Sequence, residues 1–213
     1  MLETMKAAIF DMDGTLLDSM TQWRRMNGAF VREMGIEPTE KQEADMMSMS
    51  GTMVVDYFRS EFGVDTDFEA LCARACEAME PVYSGGVPHK PGAAAYFKRL
   101  RARGVKCVIA TATPARLAMI GLNCANLVSD LDYIFTTDML HLNKSQNAFF
   151  ERVSEIIGVP KEDCIMFEIR CMPCRARKRG ARRGRHHGRD QRARPQAIRA
   201  CCDAVIDSFD ELP

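Results

Sequence analysis

Apolar residues run unbroken from Ala7 to Phe10 and stop at Asp11. The pattern predicts a short buried strand over 6–10, then a turn at Asp11-Met12-Asp13-Gly14-Thr15. Trp23, Met26, Phe30 and Met34 recur at helical spacing, and Gly35 ends that helix. Thr39 with Gln42 has the form of a capping box. Met53, Tyr57 and Phe58 suggest a further helix, and Phe68, Leu71, Cys72, Ala75, Cys76 and Met79 line one face of another. Between 18 and 87 the pattern gives helices and no clear strand.

After Pro88 the pattern alternates. A helix over 92–103 ends at Gly104, Val105–Ala110 reads as a buried strand, and Pro114 opens a helix. Tyr133–Phe135 is a short strand. Ser145 begins a helix with Phe149, Phe150, Val153, Ile156 and Ile157 on its apolar face, closed by Gly158. Cys164–Phe167 is another strand, and Ala204–Asp207 a last one. Buried strands alternating with helices predict an α/β, doubly wound parallel sheet. The helical block 18–87 interrupts it after the first strand and reads as an insertion. The core is then 1–17 with 88–213.

Composition allows this fold: 46% of residues are hydrophobic and 27% charged, enough to pack a core. No apolar run reaches membrane-spanning length, and no signal-peptide pattern opens the chain. Nine cysteines without regular spacing read as reduced thiols, and so as a cytoplasmic protein. The net charge of zero hides an asymmetry. Residues 169–199 hold twelve Lys/Arg and one acid, Asp190, so an acidic protein carries one arginine-rich block.

The phrase Phe10-Asp11-Met12-Asp13-Gly14-Thr15-Leu16-Leu17-Asp18 carries chemistry. Reactive groups gather at the carboxyl ends of strands in such sheets. On an extended segment Asp11 and Asp13 point the same way, and two clustered carboxylates repel unless a cation lies between them or one is protonated. That suits Mg²⁺ with a carboxylate nucleophile and a neighbouring acid/base. The plainer alternative is an Asx turn with Gly14 supplying its backbone.

This phrase resembles the first motif of the haloacid dehalogenase-like (HAD) hydrolase superfamily, in the branch that includes phosphoglycolate phosphatase and β-phosphoglucomutase relatives. The resemblance covers nearly all of 1–168 and again about 197–213, and implies that 18–87 is a C1-type cap. It implies Asp11 as nucleophile and Asp13 as acid/base. Thr111, ending Val108-Ile109-Ala110-Thr111, would bind a phosphoryl oxygen, although a Thr after a strand can be a simple helix cap. Lys144 precedes a helix as the family's lysine does, with flanks that differ, and would offset phosphate charge. In the fourth motif the related pattern Phe-Glu-Asp-Ser reads Phe167-Glu168-Ile169-Arg170 here. Glu168 is retained, and Ile169 replaces an acid. The implied metal set is Asp11, Asp13 and Glu168, holding Mg²⁺.

Several readings compete for 169–196: a solvated basic tail, a nucleic-acid-binding segment, a zinc site and a segment read out of frame. The nucleic-acid reading lacks interleaved aromatics, since 169–199 contain no Phe, Tyr or Trp. The zinc reading, Cys171 and Cys174 with His186 and His187, fits no standard spacing. Read one base later, arginine codons become valine codons. Residues 181–194 then become an apolar strand and a polar loop, and the opposite shift restores Asp-Ser after Glu168. The frame reading is preferred, because both recovered stretches are what the fold lacks.

The expectation is therefore a Mg²⁺-dependent phosphomonoesterase acting on a small phosphorylated metabolite through an aspartyl-phosphate. Neither a membrane nor a nucleic-acid partner is expected. Asp13 argues against a true dehalogenase, which needs no acid to protonate a leaving alcohol. A β-phosphoglucomutase-like mutase is the alternative, though that branch uses a cap histidine and 18–87 contain none. A catalytically impaired HAD fold acting as a binding protein is another.

Overall fold

A computed structural model describes residues 2–49, 51–168, 181–184 and 204–213. The chain divides into two compact units, 1–18 with 88–213, and 19–87.

The first unit is built on β1 (Ala7–Phe10), β2 (Lys106–Thr111), β3 (Tyr133–Thr136), β4 (Cys164–Phe167), β5 (Ala181–Gly184) and β6 (Ala204–Ile206). They form one sheet in the order β3-β2-β1-β4-β5-β6, and every pairing is parallel. The expected α/β doubly wound sheet is present. Parallel strands need helical crossovers, and helices then bury both sheet faces. On one face Ala7, Ile9, Val108 and Ala110 pack with Phe149, Val153 and Ile157 of the helix Asn147–Ile157. On the other, Phe10 stacks on Phe167 with ring centroids 4.6 Å apart and meets Tyr96 and Phe97 of the helix Ala93–Ala102. β1 and β4 are the two central strands, and the residues of β1 are fully buried or nearly so.

Among the described residues the second unit holds only helices: α1 (Met20–Glu33), α2 (Glu40–Ser48), α3 (Gly51–Phe62) and α4 (Phe68–Ser84). Phe30, Val31, Met46, Val54, Val55, Phe58 and Leu71 form its core. The Thr39–Gln42 capping box is present in full. Among the described residues no helix is long and apolar enough to cross a membrane.

The two chain crossings between the units are tied together within the first unit. The Asp18 N–H donates to the Pro88 carbonyl, the Lys90 N–H to the Leu16 carbonyl, and Leu17 bridges His89. The buried Lys90 ammonium pairs with Asp18.

Some local expectations need correction. The helix after Lys144 is α8 (Asn147–Ile157), after α5 (Ala93–Ala102), α6 (Ala115–Cys124) and α7 (Thr137–Leu140). It starts two residues beyond Ser145, because the Asn143 side chain accepts the Ser145 N–H and hydroxyl and holds a turn there. Met53, Phe68 and Ile156 lie on helices as expected but are 55%, 48% and 40% exposed, at the edges of their apolar stripes. Part of the arginine-rich block supplies β5, which pairs with β4 at Met166 and Phe167. A parallel ladder is made by backbone groups that every such residue carries. The rest of that block lies outside the described residues.

Candidate active site

Three adjacent strand ends present the polar residues. β1 delivers Asp11, whose N–H donates to the Phe167 carbonyl of β4 at 2.9 Å. The chain then folds tightly. Gly14, at φ +76°, donates its N–H to the Leu17 carbonyl at 2.7 Å, and the Leu16 and Leu17 N–H groups return to the Met12 carbonyl. A side chain at position 14 would strain that left-handed backbone. β2 ends in Thr111 and β4 leads into Glu168, both buried.

Lys144 ties the site together. Its ammonium lies 2.5 Å from Asp11 Oδ1 and 2.9 Å from Glu168 Oε2, and all three groups are buried. The Thr15 hydroxyl donates to the other Asp11 oxygen at 3.1 Å. Burial pushes the Asp11 carboxyl up to about 7; Glu168 and Asp13 add to the rise and Lys144 opposes it. Burial also works against the Lys144 charge, but Asp11 and Glu168 more than offset it and hold that ammonium above its ordinary value.

Asp13 connects to the loop after β2. The Thr113 hydroxyl donates to Asp13 Oδ2 at 2.5 Å, and the Thr113 N–H donates to the Thr111 hydroxyl oxygen at 3.1 Å. That loop is fastened from the β3 side as well. Asp138 accepts the Ala115 N–H at 3.1 Å, and the Thr137 hydroxyl reaches the Ala112 carbonyl at 3.5 Å.

The sequence-based residues Asp11, Asp13, Thr111, Lys144 and Glu168 thus fall into two contact groups. Lys144, Asp11 and Glu168 touch; Asp13 and Thr111 meet through Thr113. The sequence reading passed over Thr15 and Thr113. Thr15 stood inside the motif phrase, and Thr113 lies one alternation beyond Thr111. Ile169 lies outside the described residues.

Among the described residues no three carboxylate, thiol or imidazole side chains converge into a ready metal cage. The donor chemistry nonetheless fits a hard divalent cation. Asp11, Asp13 and Glu168 are three carboxylates that offer only oxygen, and Lys144 is the one ammonium in contact with them in the described contacts.

The chain is similar to known proteins in sequence and in fold. The chain is 24% identical over 164 residues to the phosphorylated carbohydrates phosphatase of Thermotoga maritima, covering 77% of this chain and 76% of that one. It is 27% identical over 172 residues to the phosphoglycolate phosphatase of Rhodospirillum rubrum, covering 76% and 70%. The structure of a hydrolase from Pseudomonas syringae superposes with a TM-score of 0.80 at 24% identity, over 97% of this chain and 96% of that one. The family model for haloacid dehalogenase-like hydrolases matches residues 5–168, from the strand that carries Asp11 to the residue that ends the site, and the chain belongs to that family.

Proposed function

We propose that this chain is a Mg²⁺-dependent phosphomonoesterase acting on a small phosphorylated metabolite, with Asp11 as the nucleophile. The observation that carries this reading is the buried contact of Lys144 with both Asp11 and Glu168 at the strand ends. A buried ammonium there holds a carboxylate in one orientation and supplies positive charge where a phosphoryl group adds negative charge.

In the first step an Asp11 oxygen forms a bond to phosphorus as the bond to the leaving oxygen breaks, and Asp13 gives that oxygen a proton. In the second, Asp13 takes a proton from water, the water oxygen bonds to phosphorus, and Asp11 is released with phosphate. The Thr111 oxygen accepts the Thr113 N–H, so its own hydrogen is available to a phosphoryl oxygen. Asp11, Asp13 and Glu168 would hold Mg²⁺, which supplies Lewis-acid charge to the phosphoryl oxygens when bound.

The names of the relatives favour a phosphorylated carbohydrate or a similar small acid as substrate. A mutase is disfavoured because residues 18–87, read as the cap, contain no histidine. Reduced thiols suit a cytoplasmic setting. Ile169, standing where the resemblance implies an acid, weakens the metal site and lowers activity without removing the nucleophile.

The test is hydrolysis of p-nitrophenyl phosphate with Mg²⁺ titrated into the tens of millimolar. Turnover should need Mg²⁺ and vanish in Asp11→Asn, since an amide cannot serve as the nucleophile. Turnover retained in that variant rules the mechanism out.

A further inference from the structure

We infer that Asp138 is a positioning residue that sets the Thr111 hydroxyl toward the phosphoryl group by fixing where α6 begins. The inference rests on the phosphomonoesterase reading above. α6 opens on Pro114 and has no capping side chain of its own. The first N–H groups of a helix need acceptors from elsewhere. Asp138, on the short helix α7, accepts the Ala115 N–H through Oδ2 at 3.1 Å. Its Oδ1 takes the hydroxyl of Thr136, a fully buried residue that pairs with Thr111 across the β2–β3 ladder. Both carboxylate oxygens are therefore engaged. Burial works against the Asp138 charge, but the hydrogen bonds from Thr136 and Ala115 more than offset it and hold the carboxyl below its ordinary value.

The consequence runs back along the chain. Thr111 is held at one end of the loop by its strand and Ala115 at the other by Asp138, so Ala112, Thr113 and Pro114 bridge a set gap. Within that bridge the Thr113 N–H meets the Thr111 hydroxyl oxygen at 3.1 Å. A hydroxyl that accepts there turns its own hydrogen elsewhere, free for a phosphoryl oxygen. The segment that bears Asp138 also leads into Lys144, and Leu140 and Leu142 between them pack against the core. Asp138 thus gauges the gap between Thr111 and Lys144.

A plain helix cap predicts something different, because a cap contributes stability wherever it sits. Asp67 caps α4 in the helical unit, its side chain accepting the Ala70 N–H at 2.7 Å. Asp67→Ala is therefore the control for capping alone.

The experiment measures inhibition of p-nitrophenyl phosphate hydrolysis by orthovanadate at saturating Mg²⁺, with kcat, KM and the thermal midpoint of each protein. Vanadate takes the five-coordinate geometry of phosphorus in transfer, so its inhibition constant reads how well the phosphoryl donors are aimed. The proteins are the chain as it stands, Asp138→Ala, Asp138→Asn, Asp138→Glu, Thr111→Val, the pair Asp138→Ala/Thr111→Val and Asp67→Ala, each repeated with Ile169→Asp to strengthen turnover. Asp138→Ala should weaken vanadate inhibition about fivefold, the full worth of one helix cap. Asparagine keeps an accepting oxygen and should recover most of the loss. Glutamate keeps the charge but moves the oxygens by one methylene, and should not. Once Thr111 is Val, Asp138→Ala should add nothing. Asp67→Ala should lower the thermal midpoint and leave vanadate inhibition unchanged.

Vanadate inhibition unchanged in Asp138→Ala, or weakened equally with and without the Thr111 hydroxyl, overturns the inference and makes Asp138 a cap only. An equal weakening in Asp67→Ala does the same. If Asp138→Ala does not fold, Asp138→Glu against Asp138→Asn decides by the same constants. If the parent turns over and the Asp138 variants match it, the inference fails alone. If no protein turns over even with Ile169→Asp, the phosphomonoesterase reading fails and takes the inference with it.

Discussion

Replacing Lys144 with Met tests whether charge, and not packing, holds the site together. Met has nearly the length of Lys and no charge, so the cavity stays filled. Lys144 is about 6% exposed at its side chain, as is Glu168, and Asp11 is about 12% exposed. Removing the ammonium leaves two buried carboxylates facing each other. Breaking a buried pair by deleting one partner costs about 3–5 kcal/mol. Deleting a carboxylate should do the opposite. With Glu168→Gln, Asp11 loses the neighbour whose charge raises it most and keeps its lysine, so stability should stay level or rise by about 1 kcal/mol. Urea unfolding in chelator at pH 8 measures both. Adding Mg²⁺ should then recover part of the Lys144→Met loss, because a cation that binds only the folded form stabilises it by mass action. Both variants should lose phosphoesterase activity, so stability and activity move together in one and apart in the other. Losses of equal sign and size in the two variants would refute the charge account.

Asp13→Asn should slow turnover by roughly 10²–10⁴-fold, most for poor leaving groups, as read from initial rates on aryl and alkyl phosphates. Gly92→Ala should cost about 2 kcal/mol or more in thermal unfolding: Gly92 sits at φ +76°, and a Cβ there would lie 2.5 Å from Asp210 Oδ1 and 2.6 Å from its backbone nitrogen. Burial pushes the Cys107 thiol up to about 12 and the Cys164 thiol up to about 11, with unfolded values near 9. Both forms are protonated below pH 9; above it the unfolded chain ionises first, so stability should fall from pH 9 toward 11, and less so in Cys107→Ala. Ile169→Asp should tighten Mg²⁺ binding by at least about tenfold, the scale on which metal sites respond to a supporting group, measured by calorimetry. Replacing 169–194 by the frame-shifted reading, whose apolar run overlaps β5, should raise the thermal midpoint further; equal stability would show that the arginine block belongs to the protein.

Much of the fold was legible because burial and period agree. β1 and β4 are continuous apolar runs and β2 holds one over 107–110, and such runs in an alternating chain have few other homes. Helix ends marked by glycine, such as Gly35 and Gly158, also read directly. What stayed hidden was set by side-chain hydrogen bonds. The Asn143 turn delayed α8, and nothing in hydrophobic period encodes it. The short helix α7 was missed, because four residues give no period to detect. At the site, the residues matching family motifs were legible one by one. Their wiring was not: that Lys144 would touch both Asp11 and Glu168, or that Thr113 would join Asp13 to Thr111, follows from strand order and loop path, which distant segments decide together.

The order of the strands also shapes how the chain must assemble. β1 leaves the ribosome first, yet its two neighbours are β2 and β4, which lie far along the sequence. Until they arrive, an apolar strand waits with both edges open. Such non-local pairing slows folding and invites association with other chains. The helical unit 19–87 makes its contacts locally and can form while β1 waits. The hydrogen bond from the Asp18 N–H to the Pro88 carbonyl, once made, shortens the span that β2 must cross to reach β1. On this view the early helical unit shortens the wait of β1, and placing Asp11 at the end of a central strand goes with a late and vulnerable closure of the sheet.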